Sequence, residues 1–459
     1  MQDSAASTRR IATSVRSSIQ RRSDRFKSSE VEAKSGRGET MSVERRRRVV
    51  VTGMGAISPL GLTVEENWAG AAAGRSGIAP ISRFDPTGFE TTFAGEVRGF
   101  DAAAVIGKKE SRRMDRYAQF AVAAAQEAAE QAGLTSTPVD PRRIGVLIGT
   151  GMGAMEALEN GAATLLSEGP RRLSPYFAPM SLPNMAAGMV SIAVGAKGPN
   201  FAPVSACASA GHAIGEAVRM IREGLADIVY AGGAEAPVTR LGVAGFNAMG
   251  ALSRRNDDPQ GASRPFDAER DGFVLSEGAA VLVLEALDHA LERGATILGE
   301  VSGYGATDDA NHIVQPAPGG EGAARAIAIA LADAGLSPEE IDYINAHGTS
   351  TQLNEKLETQ AIKTAFGERA YQIPISSTKS MTGHLLGAAG ALEAVICLKA
   401  IAAQCVPPTI NYTTPDPDCD LDYVPNVARP AKLRHVLSNS MGFGGHNVAL
   451  ILSAYNEDA

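Results

Sequence analysis

Apolar runs that stop at glycine recur along this chain, and each is followed by residues at helical spacing. The first occupies 47–55, the second 144–151, the third 226–233 and the fourth 279–285. At Ile297 the pattern begins again. Strands at 297–305, 341–345, 373–377 and 448–452 alternate with helices at 320–335, 354–366 and 386–403. A short β-branched run bounded by glycine reads as a buried strand. Strands alternating with helices read as an α/β fold with largely parallel pairing. Two such arrays of unequal length, 47–296 and 297–459, point to an internal duplication, although the residues show no obvious repeat.

Composition narrows the class. A net charge of -8 is unlike that of a general nucleic-acid binder, and 49 glycines with 5% aromatics imply many close backbone approaches. The four cysteines, at 207, 397, 405 and 419, lack CxxC spacing. No metal site is expected from them, and a reduced, cytoplasmic setting is. The apolar stretch 385–403 carries Glu393 and Lys399 and reads as a buried helix, so no membrane span is expected. Residues 1–46 are rich in Ser and Arg without an apolar period and read as a disordered leader. Asp3, Asp24, Glu30, Glu32 and Glu39 fit a transit peptide poorly, and an over-extended start, with translation from Met41, is the preferred reading.

Chemistry gathers at the strand-to-helix turns. Cys207 sits among small residues, Ser205-Ala206-Cys207-Ala208-Ser209, just ahead of a helical stripe of Ile214, Ala217, Val218 and Ile221. A helix N-terminus there favours a thiolate. Three polar stations follow: Asn345–Thr351 with His347, Ser377–His384 with Lys379, and the glycine loop Ser440–Asn447. A GxG at 53–55 lacks the rest of a dinucleotide fingerprint. A long helix is expected over 108–134, opening on Lys108, Lys109, Arg112 and Arg113, which read as solvated charges or as a dock for an acidic partner. A thiol, two histidines, a lysine and a loop of exposed N–H groups are what acyl transfer through a thioester requires. A Cys/His protease needs only one of those histidines.

On these motifs the chain resembles the β-ketoacyl-acyl carrier protein synthases, most of all the type II elongating form. The match runs from about 46 to 455 and rests on Ala206-Cys207-Ala208, the His347 and His384 stations, and Gly442-Phe443-Gly444-Gly445. The resemblance implies a thiolase-like fold, a duplicated five-layered α-β-α-β-α architecture, and a homodimer. It implies that Cys207 carries the acyl chain and that the N–H groups of Cys207 and Phe443 form the oxyanion hole. His347 and His384 would donate to the malonyl carbonyl as CO2 leaves, with Lys379, paired to Glu358, keeping the histidine site in order. Thr349 and Thr351 would bind the phosphopantetheine arm of acyl carrier protein, and no other cofactor is implied. Met152, Phe177 and Phe246 would line the acyl tunnel, Phe443 would gate it, and Lys108, Lys109, Arg112 and Arg113 would dock the carrier. The chain departs from the family pattern at Glu355, where Asp is usual, and at Met441, where Phe is frequent. Thiolases use a second cysteine as base, and initiating synthases an asparagine, where this chain has histidine. A stand-alone polyketide ketosynthase shares the triad, and a silent carrier-binding subunit is a further alternative.

Overall fold

The computed structural model describes residues 46–457, so the expected leader lies almost wholly outside the described residues. Ten strands form one mixed sheet: β1 (Val49–Ile57), β2 (Ile144–Gly149), β3 (Asn200–Phe201), β4 (Ile228–Glu235), β5 (Gly278–Ala286), β6 (Gly299–Asp308), β7 (Tyr343–Asn345), β8 (Ile375–Ser376), β9 (His435–Gly442) and β10 (His446–Ser453). Across the sheet the order is β8-β7-β9-β10-β6-β1-β5-β4-β2-β3. The centre is the short antiparallel pairing of Val50 with Glu300 and Val51 with Gly299. Counted outward from that seam, each half runs first, fifth, fourth, second, third. In each half the inner two pairings are antiparallel and the outer two parallel. The duplication hidden in the residues is plain in the topology.

Pairing is therefore mixed and not largely parallel. Three residues, 443–445, join β9 to β10, too few for a crossover, so β10 must return antiparallel. Gly444 (φ 91) and Gly445 (φ 89) supply the left-handed backbone this turn needs. β9 escaped the sequence reading because buried Ser438, Asn439 and Ser440 interrupt its apolar alternation. The helix expected over 108–134 is broken. A short turn, Lys108–Ser111, precedes α1 (Arg116–Gln131), and Asp115 between them takes an extended conformation to cap the Tyr117 N–H.

Helices complete the layers. α1 covers β1 and β5 on the outside of the first half, and α3 (Glu321–Ala334) covers β6 and β10 on the outside of the second. Between the halves lie α2 (Ser209–Arg222) and α5 (Ala389–Ala403), which touch each other and both sets of strands; α4 (Gln352–Phe366) packs beside α3. Outer helix, sheet, inner helices, sheet and outer helix make five layers. Ile214, Val218 and Ile221 of α2 meet Leu392, Val395 and Ile396 of α5 in one buried core. Each such side chain contributes roughly 1.5–3 kcal/mol of burial. A charged residue at Val218 would face no partner there. The stretch Leu386–Ala403 is long and apolar enough to cross a bilayer, and 83% of it is buried in this middle layer.

Candidate active site

The inner helices deliver the chemistry, because both begin at the seam between the halves. Ahead of α2 the chain makes one tight turn, Ala206–Ala208, entered through Ala206 in the left-handed region (φ 49). The Ser209 hydroxyl accepts from the Ser205 N–H at 2.9 Å, and Ser205 Oγ meets His212 Nδ1 at 2.7 Å. Cys207 is thereby presented with its thiol 3.0 Å from His384 Nε2. The thiol does not rest as a thiolate. Burial pushes it up to about 12, with Lys379 opposing and Glu235 and Glu393 reinforcing. Desolvation thus outweighs the helix terminus that the sequence reading relied on.

The rings of His347 and His384 stand edge to face, 5.4 Å apart. Burial and the Lys379 charge hold both well below the usual imidazole range, so both are neutral. Lys379 Nζ donates to the His347 carbonyl at 2.6 Å and lies 3.4 Å from His347 Nδ1. An ammonium has no lone pair, so Nδ1 must be the acceptor and the imidazole proton sits on Nε2. The Cys207 sulfur and the two imidazoles place ligand-type atoms within 4.8 Å of one another. With its proton on Nε2, however, His347 offers that group an N–H and not a lone pair. This trio is better suited to holding a developing oxyanion than a metal.

Lys379 is paired with Glu393 of α5, not with Glu358. The Glu358 carboxylate is consumed elsewhere: it accepts from the backbone N–H of His347 at 2.7 Å and of Gly348 at 2.8 Å, and from Asn354 and Asn439. Glu358 thus shapes the histidine loop from behind, and neither it nor Lys379 reaches the cavity wall. Glu393 was visible in the sequence only as an acid in an apolar helix, where burial calls for a hydrogen-bonding or charged partner.

A cavity of about 640 Å³ joins these groups. Cys207, His347, His384 and Phe443 line it, as do Thr349, Thr351, Met152 and Phe246. Thr349 Oγ1 and Thr351 Oγ1 are 3.0 Å apart. Between them Ser350 (φ 72) gives its N–H to Glu355. Glu355 is fully buried, its other oxygen has no hydrogen-bond partner, and Arg270 Nε lies 3.9 Å away. Burial pushes this carboxyl up to about 7. Met441 also lines the cavity and packs on Ala323, Ala324 and Ala361. Phe177 does not: it packs over Gly161 in a separate, polar cavity of about 390 Å³. Lys108, Lys109, Arg112 and Arg113 are exposed on the short helix and turn before α1, with Arg113 over the Tyr176 ring at 5.3 Å.

Gly442 explains where an oxyanion would sit. A Cβ on it would come within 3.2 Å of the Cys207 and Ala208 nitrogens and 2.7 Å of the Ser205 carbonyl. Only glycine lets β9 approach the Cys207 N–H so closely. The sequence reading missed Glu235, a fully buried carboxylate at the end of β4 that binds the loop bearing Met152.

A duplicated five-layered fold with a thiol and two neutral histidines at its seam defines a thiolase-like acyl-transfer enzyme. The model of the β-ketoacyl synthase N-terminal domain matches residues 46–290 and that of its C-terminal domain residues 298–413, and the chain belongs to this family. It is 54% identical to a 3-oxoacyl-[acyl-carrier-protein] synthase 2 of Synechocystis sp., over 89% of this chain and 99% of that one, and 52% identical to its namesake in Coxiella burnetii over the same shares. Among solved structures, the ishigamide ketosynthase/chain length factor matches with a TM-score of 0.85 at 41% identity, over 90% of this chain and 100% of that one. A ketosynthase solved in complex with a type II PKS acyl-carrier protein matches with a TM-score of 0.84 at 38% identity, over the same shares.

Proposed function

We propose that this enzyme elongates acyl chains by decarboxylative condensation on acyl carrier protein. The observation that carries the reading is the 3.0 Å contact between Cys207 Sγ and His384 Nε2, beside a second imidazole whose N–H is fixed by Lys379. In the first half-reaction the Cys207 sulfur attacks the acyl thioester and its proton leaves with the departing carrier thiolate. The tetrahedral oxyanion lies against the N–H groups of Cys207 and Phe443. In the second, the malonyl thioester carbonyl accepts from His347 and His384, CO2 leaves, and the electron pair it abandons forms the enolate. That carbon attacks the acyl-cysteine carbonyl and expels the thiolate, which takes up from solvent the one proton that loss of CO2 from a carboxylate consumes. The phosphopantetheine arm runs past Thr349 and Thr351, and no other cofactor enters.

Curated relatives above 50% identity carry the synthase 2 name, whereas the polyketide-type structural neighbours stand near 40%. This favours fatty-acid elongation over polyketide assembly. We place the enzyme in the cytoplasm as a homodimer, docked to the acidic carrier through Lys108, Lys109, Arg112 and Arg113. Neutralising those four charges is expected to weaken carrier binding and flatten its salt dependence; unchanged affinity would return the patch to plain surface. The central test is intact mass after incubation with acyl carriers of several lengths. Wild type should gain the acyl group, Cys207→Ala should not, and His384→Ala should gain it yet fail to release CO2 from malonyl carrier. A protein that binds carrier but is never acylated would be a silent subunit.

A further inference from the structure

We propose that Glu235 is a positioning residue for the acyl side of the site, its carboxylate permanently filling the structural twin of the oxyanion pocket. The duplication supplies the twin. α2 and α5 are entered by equivalent turns, Ala206–Ala208 and Leu386–Ala388, and each turn opens on a non-glycine residue in the left-handed region, Ala206 (φ 49) and Leu386 (φ 46). Gly387 therefore stands where Cys207 stands. Opposite each turn is the end of the fourth strand of the other half, and both strands are eight residues long. β9 ends at Gly442, against the Cys207 N–H. β4 ends at Glu235, and the Gly387 N–H donates to its Oε2 at 3.0 Å.

Where one turn leaves its amide facing the cavity, the other gives it to a resident anion. Glu235 also accepts from the N–H groups of Gly151 at 2.6 Å, Met152 at 3.1 Å and Gly153 at 3.1 Å, and from Thr150 Oγ1 at 2.9 Å. The threonine hydroxyl itself accepts from Gly153 N–H at 3.0 Å, which turns its proton toward the carboxylate. Among the described residues no cationic side chain bonds Glu235. Amides alone hold the anion, as an oxyanion hole would. The fit is close: a Cβ on Gly151 or on Gly387 would lie 2.9 Å or 2.8 Å from Oε2, and one on Gly387 would strike the Gly151 nitrogen at 2.2 Å.

The two tethered segments carry Met152 and Leu386 to the cavity wall beside Cys207. One carboxylate thus sets the spacing of the acyl side, at the end of a strand in the other half from the histidine loop. The inference rests on the condensing reading above, and the experiment separates the two. Acylation of Cys207 by carriers of several chain lengths and CO2 release from malonyl carrier are measured on wild type and Glu235→Gln, whose amide NH2 must face N–H groups. Acylation is expected to slow at least about tenfold, with chain-length preference flattened, while CO2 release stays within about threefold of wild type. Equal loss in both half-reactions, or no loss in either, overturns the role of Glu235. Absence of any adduct on wild type overturns the condensing reading itself. If Glu235→Gln does not fold, Thr150→Val, which removes one donor and the hydroxyl bridge, must show the same bias toward lost acylation; equal effects on both steps overturn the proposal.

Discussion

Replacing Lys379 by methionine separates what the buried ammonium does for the fold from what it does for catalysis. The side chain is almost fully buried, with Glu393 and the carbonyl and ring of His347 as its polar contacts. Glu393 already has one oxygen without a hydrogen bond, so losing the lysine strands the whole carboxyl. Breaking one side of a buried ion pair costs about 3–5 kcal/mol. Lys379→Met should therefore lower the urea-unfolding free energy by about that amount, read by linear extrapolation. Adding Glu393→Met removes the stranded acid and should recover most of the loss, since a buried pair exchanged for apolar groups is often neutral. Catalysis should not follow. Without the ammonium nothing holds the proton on His347 Nε2, and one of two donors to the enolate oxygen is lost. Such a donor is worth about 10²–10³ in rate, so CO2 release from malonyl carrier should fall by that factor in both variants. If the double variant regains CO2 release along with stability, the His347 tautomer is not set by Lys379; if the single variant unfolds within about 1 kcal/mol of wild type, the buried pair does not carry the stated cost.

Two further expectations concern the walls of the site. The folded-state pKa of Glu355 is raised from 4.5 to about 7, so its contribution is fully present below 4.5 and is lost as pH rises through about 7. That rise corresponds to about 3 kcal/mol, so Glu355→Gln should gain on wild type by up to that much between pH 4.5 and 8.5. Denaturant unfolding at both pH values checks it, and a pH-independent gap would refute it. Gly442→Ala places a methyl 2.7 Å from the Ser205 carbonyl and against the Cys207 N–H. Acyl adduct formation should slow by about 10²-fold, because the oxyanion donor is displaced. A normal acylation rate would show that the oxyanion is held elsewhere.

How far the sequence could be read depended on whether a residue's role was local. His347 directly follows β7, and Cys207 and His384 lie in the connections from β3 and β8 to the inner helices; such connections at strand ends are where α/β sites form, so all three were legible and the cavity joins them. Lys379 was legible as a member of the site but not as the partner of Glu393, because that pairing is decided by which face of α5 meets the turn after β8. The family resemblance offered Glu358 as the lysine's partner, yet it is spent on the His347 and Gly348 amides only 11 and 10 residues away. The thiolate expectation failed for the same reason at a different scale. The turn before α2 can be read from small residues, but the desolvation of its cysteine comes from residues distant in sequence that pack in the same cluster, among them Val243, Leu252, Phe273 and Leu386.

The duplication itself is the strongest case of information that sequence conceals and topology reveals. No residue identity links Cys207 to Gly387, or Gly442 to Glu235, and each pair is chemically opposite. Yet the strand order, the left-handed entry residue and the tight turn are the same on both sides of the seam. A fold with two amide-lined turns could have used both for binding. Here one faces glycine and a cavity, and the other faces an acid held by four N–H groups and one hydroxyl. Burying a carboxylate without a cation is costly unless every lone pair is used, and at Glu235 the donors are sufficient to use them. The asymmetry therefore has a physical consequence. A rigid, pre-filled turn braces the floor on which its open twin must bind an oxyanion that exists only during reaction, and such a donor is effective only if it does not have to move.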